Sequence, residues 1–66
     1  YEFALQTVEK YLQFDAFSET AHLIRLEVYK QLGNSVMLAH SYQLYTQMLK
    51  ELDQEPSAEA KLLFKS

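Results

Sequence analysis

Apolar residues recur along this chain at helical spacing. Between positions 36 and 52, Leu38, Tyr42, Tyr45, Leu49 and Leu52 follow one another at steps of four, three, four and three. At 3.6 residues per turn that spacing puts them on one helix face. Over residues 1–14, Tyr1, Leu5, Val8 and Leu12 form a stripe with Ala4 and Tyr11 beside it. Over 19–32, Ala21, Ile24, Val28 and Leu32 mark one edge, with Leu26 and Tyr29 on another. A fourth segment, 58–66, carries Leu62, Leu63 and Phe64. No window alternates apolar and polar residues over strand length, so the pattern predicts an all-α chain of about four helices and no sheet.

The breakers fall between these segments. Gly33-Asn34 is a stop, because glycine readily takes the left-handed conformation that ends helices. Pro56-Ser57 is a second break, and Phe14-Asp15-Ala16-Phe17-Ser18 a third, where Asp15 and Ser18 offer turn and cap oxygens. Ser18, Ser35 and Ser57 are the expected N-caps. Glu19 and Glu59 follow in first turns, where the helix dipole favours negative charge. No start signal precedes the first stripe and no stop signal follows the last. Residues 1–66 therefore read as a single helical domain excerpted from a longer chain.

A repeat underlies the helices. Sliding the first segment by 34 residues lays Ala4, Val8 and Tyr11 on Leu38, Tyr42 and Tyr45. That spacing resembles the second helix of a tetratricopeptide repeat. In the same register Phe14-Asp15-Ala16 stands where such repeats carry Leu-Asp-Pro, His22 where they carry Trp, and Tyr29 where they carry Tyr. Gly33 falls at the turn between the two helices. The resemblance implies antiparallel helical hairpins stacked as an α-solenoid fragment, each hairpin leaving a face for the next to cover. Leu26 and Leu38 depart from the small residues usual at their positions.

A second resemblance covers nearly the whole chain. The run Ala21-His22-x-Ile24-x-Leu26-x-Val28-Tyr29-x3-Gly33 is similar to the bacterial transcriptional activator domain, whose pattern reads roughly A-H-x-L-L-M-x-L-Y-x3-G. Tyr42-Gln43 matches that family's A-Y-E/Q, and Leu49-Lys50-Glu51-Leu52 with Glu55-Pro56-Ser57-Ala58-Glu59 resembles its L-x-E-E-L-G-x-E-P-S-x-E-T close. Asp53 stands in place of the family's Gly, with one residue fewer before it. In that family the helical domain follows a winged-helix DNA-binding domain, in antibiotic-regulatory activators and some response regulators. The resemblance implies a non-catalytic regulatory module that positions or oligomerises the attached DNA-binding domain. Its expected partners are that domain, flanking helices and possible further copies of itself. A stand-alone adaptor that holds a peptide or partner protein is the alternative.

Charge and composition narrow the field. Six Lys and Arg stand against nine Asp and Glu, for a net charge of −3, and the basic residues are scattered singly. A clustered basic face is what phosphate neutralisation needs, so no direct contact with nucleic acid is expected. No apolar run approaches the ~20 residues of a membrane span. There is no cysteine, so neither a disulfide framework nor a thiolate zinc site can form. The expected location is the cytoplasm.

The chemistry-bearing residues do not assemble into a catalytic pattern. His22 and His40 fall on different helices with no ligand at metal spacing. The serines lack a nucleophile-elbow context, and one glycine cannot build a phosphate-cradling loop. No enzyme, cofactor or metal is expected, and Met37 and Met48 read as gap-fillers. The surplus lies in nine aromatics: Tyr1, Phe3, Tyr11, Phe14, Phe17, Tyr29, Tyr42, Tyr45 and Phe64. So short a chain cannot bury them all. Phe3, Phe17 and Phe64 are the candidates for a surface covered by further repeats or a partner, and most of the other aromatics are expected between helices.

Overall fold

A computed structural model of the chain describes residues 2–65, with side chains through Phe64. It holds four helices: α1 (Glu2–Phe14), α2 (Glu19–Leu32), α3 (Ser35–Glu51) and α4 (Ala58–Lys65). No strand occurs among the described residues. Tyr1 lies outside them.

The turns follow local backbone chemistry. α2 starts at Ser18, whose Oγ accepts from the Ala21 N–H at 3.2 Å. It ends in a Schellman motif: Gly33, at φ 70°, donates to the Lys30 carbonyl, and Asn34 donates to the Tyr29 carbonyl, both at 3.1 Å. α3 closes the same way on a residue that is not glycine. Asp53, at φ 57°, donates to Lys50 at 3.1 Å and Gln54 donates to Leu49 at 2.9 Å. Asp tolerates the left-handed region better than most residues do.

Two expectations about α3 are corrected. Its N-cap is Asn34 rather than Ser35, because the Asn34 Oδ1 accepts from the Met37 N–H at 3.1 Å and Ser35 is already helical. Leu52 is the C-cap and is largely exposed, so the apolar stripe ends at Leu49. Ser57 caps α4 as expected, its Oγ accepting from Ala60 at 3.2 Å.

α2 is the central element. It packs against α1, α3 and α4, whereas α1 has α2 as its sole helix neighbour among the described elements. The core is Leu26 of α2, Tyr45, Met48 and Leu49 of α3, and Ala60 of α4, with Leu23, Leu38, Tyr42 and Leu63 half-buried around it. α1 adds one buried side chain, Val8. The molecule measures 30 × 28 × 17 Å, and the short dimension is under two helix diameters, which keeps the core one layer thick.

At an offset of 37, Val8 and Tyr45 are both buried, Leu5 and Tyr42 are both half-buried, and the helix ends Phe14 and Glu51 coincide. Tyr11, more than half exposed, falls on a buried side chain at either offset, Tyr45 at 34 and Met48 at 37. Offsets of 34 and 37 differ by nearly one helical turn and select almost the same face, so periodicity cannot separate them.

Candidate functional site

His22 and Arg25 stand one turn apart on α2 and face the gap between α1 and α3. A carbonyl can only accept, so the 3.0 Å contact between His22 Nε2 and the Ala16 oxygen puts the proton on Nε2. Nδ1 is then an acceptor, and it receives a hydrogen bond from Arg25 Nη2 at 3.2 Å. The chain Arg25–His22–Ala16 ties the α1–α2 turn to the body of α2. Burial lowers the His22 pKa from its ordinary value, the bond to Ala16 opposes this, and the charge of Arg25 adds to it. His22 is thus a neutral strut with both nitrogens engaged, and its ring lies 5.8 Å from that of Tyr45.

Arg25 lines a cleft of about 310 Å³ together with Leu12, Phe17, Leu44, Met48 and Glu51 among others. Its Nε is buried and meets no acceptor among the described residues. Burial lowers the Arg25 pKa, and the carboxylate of Glu9 on α1 counteracts it. Guanidinium groups remain charged under such shifts. The arrangement offers a cation in an open, mostly apolar cleft that also carries the Glu51 carboxylate.

A second cleft, of about 430 Å³, opens between α1 and α2 on another flank, lined by Thr7, Val8, Tyr11, Ser18, Ala21 and Ile24 among others. It carries no charged side chain. Its chemistry is that of a seat for an apolar surface.

No family model matches the sequence, and comparisons with curated proteins and with solved structures return no match. The clefts and exposed side chains are therefore the ground for a functional reading.

The candidate partner-contact residues lie in different environments. Phe3 is 81% exposed on α1. Phe17 is half-exposed and forms part of the Arg25 cleft. Phe64 stacks on Tyr42 with centroids 4.3 Å apart and planes 18° apart, so one of its ring faces belongs to the α3–α4 contact. The three do not form one patch with a shared cleft. Phe14 is 92% exposed at the end of α1, and Tyr11 is also outward. Both lie near the end of a helix with a single neighbour, which leaves those faces in solvent.

The other residues named for repeat packing sit as follows. Val8, His22, Tyr29 and Tyr45 are buried, while Ala4, Leu38 and Tyr42 are half-buried; Gly33 forms the turn. Asn34 serves as the N-cap of α3. His40 is exposed, and no group of three or more metal-ligating side chains occurs among the described residues. Sequence reasoning set aside Arg25, the most chemically distinctive side chain of the first cleft. The only signal for it was its place one turn after His22, on the helix face that also carries Tyr29.

Proposed function

We propose that this chain is a non-catalytic helical interaction module of a bacterial transcription regulator, which positions or oligomerises an attached DNA-binding domain. The observation that carries the interaction reading is the exposed apolar surface: Phe3, Tyr11 and Phe14 on α1, Val36 on α3 and Leu62 on α4 are each more than half exposed. Large exposed apolar areas on small folds mark contact surfaces. The regulatory part rests on the resemblance in Ala21–Gly33 and Glu55–Glu59. Stacked helical hairpins of the tetratricopeptide kind are part of the same proposal, with α1 as a second helix, α2–α3 as a full pair and α4 as the next first helix. The contacts of α2 with each of the other three helices support that order.

The test is the coding sequence just upstream. A winged-helix domain there supports the regulatory reading. Within such a longer protein, removing residues 1–66 should weaken operator binding while leaving the isolated DNA-binding domain folded. An upstream region that encodes no DNA-binding domain overturns it.

The adaptor reading has one observation in its favour, the Arg25 cleft. A cation among apolar side chains suits a peptide with a carboxylate beside a bulky apolar residue. Titration with acidic peptides should then give binding that Arg25→Gln abolishes, and a flat titration counts against it.

A further inference from the structure

The cleft beside Arg25 is built from the middle of the chain. Its lining includes Leu12 near the end of α1, Phe17 in the following turn, Arg25 of α2, and Leu44, Met48 and Glu51 of α3. α1 does not pack against α3, so the cleft is a space that α2 holds open between them. Its volume of about 310 Å³ stands at the small end of the range for small-molecule sites.

Two opposite charges line this space without neutralising each other. The bond from Arg25 Nη2 to His22 Nδ1 fixes the guanidinium, and its buried Nε meets no acceptor among the described residues. The carboxylate that offsets the burial of Arg25 is that of Glu9 on α1, which is not part of the lining, and not that of Glu51. Glu51 is exposed and ends α3, where the helix dipole also gathers partial negative charge. Beside the two charges the cleft presents the half-exposed Phe17 and the partly exposed Leu44.

We propose that this cleft binds a free apolar α-amino acid. Its carboxylate meets Arg25, its ammonium turns toward Glu51, and its side chain covers Phe17 and Leu44. A simple apolar acid would bring no cation to Glu51, and an apolar amine would bring no anion to Arg25. The last residue of a peptide carries a neutral amide nitrogen where Glu51 favours a positive charge. Occupation also changes α1. A ligand that touches Leu12 on one side and Met48 on the other gives this helix a second neighbour. Binding to the folded chain alone then stabilises it by mass action. The inference goes beyond the regulatory reading and needs neither an attached DNA-binding domain nor a peptide partner.

Arg25 is the sole arginine of the chain, so its Nε–H gives one side-chain signal in a nitrogen–proton NMR spectrum. Titration with L-phenylalanine or L-leucine should move that signal with a Kd on the order of 1 mM, as suits ligands of about ten heavy atoms. Amide hydrogen exchange in α1 should slow at saturation. N-acetylphenylalanine, which lacks the cation, should bind several-fold more weakly. Phenylalaninamide, which lacks the carboxylate, should leave the signal in place. Glu51→Gln alters an exposed position; it should keep the helical signal and lose the preference for phenylalanine over its N-acetyl form. A signal that neither amino acid moves, or one that phenylalaninamide moves equally, overturns the proposal. So does an undiminished preference in Glu51→Gln. Tighter binding of N-acetylphenylalanine than of phenylalanine also overturns it, in favour of a peptide terminus. None of these results bears on the upstream gene, so failure here and failure of the regulatory reading are distinguishable.

Discussion

The hydroxyl of Tyr45 donates to Oε2 of Glu19 at 2.7 Å, across 26 residues of chain. The Tyr45 hydroxyl oxygen in turn accepts from the Ser57 N–H at 3.4 Å. One fully buried side chain of α3 thus holds the first turn of α2 and the cap of α4. Burial, then the bond to Glu19, raises the Tyr45 pKa, so the phenol stays neutral and keeps its donor.

Tyr45→Phe should keep the ring and lose both bonds, at a cost of about 1 kcal/mol, since Glu19 is solvent-exposed. In a domain of this size that is a fall in Tm of roughly 4–8 °C. Tyr45→Ala also removes the ring from the core, at about 3–5 kcal/mol. That matches the whole stability of many folds this small, so its far-UV spectrum should be that of an unfolded chain. Equal melting of Tyr45→Phe and the parent would show the hydroxyl to be idle.

His22 makes stability depend on pH. Its folded pKa lies below the ordinary 6.5, so the unfolded chain takes up the proton first as pH falls. The stabilisation from neutral His22 is present above 6.5 and is lost as pH drops through 6.5 toward the lowered folded value. A proton on Nδ1 would also set a donor against the Arg25 Nη2 donor. Melting temperatures should decline from pH 7.5 to pH 5.5, a range of about one unit either side of the reference value. The slope should be flatter in His22→Gln; an unchanged slope in that variant assigns the pH effect to other groups.

Gly33 and Asp53 hold the two left-handed caps. A Cβ added at Gly33 meets nothing within 4 Å, so Gly33→Ala should act through backbone strain alone, costing about 1 kcal/mol. Gly33→Asn should cost less, because Asn visits this region more readily. Asp53→Asn should be close to neutral, while the β-branched Asp53→Val should be the worst of the four. Urea denaturation ranks them, and a harmless Asp53→Val would mean that this turn relaxes into another shape.

Phe64 and Phe14 separate contact from exposure. Phe64→Ala loses the stack on Tyr42, worth about 0.5–1.5 kcal/mol beyond area burial. Phe14→Ala, at a position 92% exposed, should change stability within about 0.5 kcal/mol. Thermal melts of both variants check the contrast, and comparable losses would place Phe14 in a packed environment.

Local information was enough for the elements. The step pattern from Leu38 to Leu49, the cap oxygens of Ser18 and Ser57, and the left-handed preference of Gly33 each depend on residues within a few positions of one another. The four helices follow from them within a residue or two at their ends. Ser35 as a cap failed narrowly, because Asn34 offers an equivalent oxygen one position earlier and only one residue can occupy the site.

Tertiary structure decided what a period cannot carry. Tyr11 and Phe14 have helical spacing and apolar rings like Tyr45, yet they face solvent, because burial depends on which helices stand beside an element. α1 has one neighbour where α3 has two. The bonds Arg25–His22–Ala16 and Glu19–Tyr45–Ser57 likewise join atoms whose meeting depends on how turns direct whole helices. A sequence states which faces are apolar; the packing of α2 against its three neighbours determines which of those faces are covered and which are left to meet a partner.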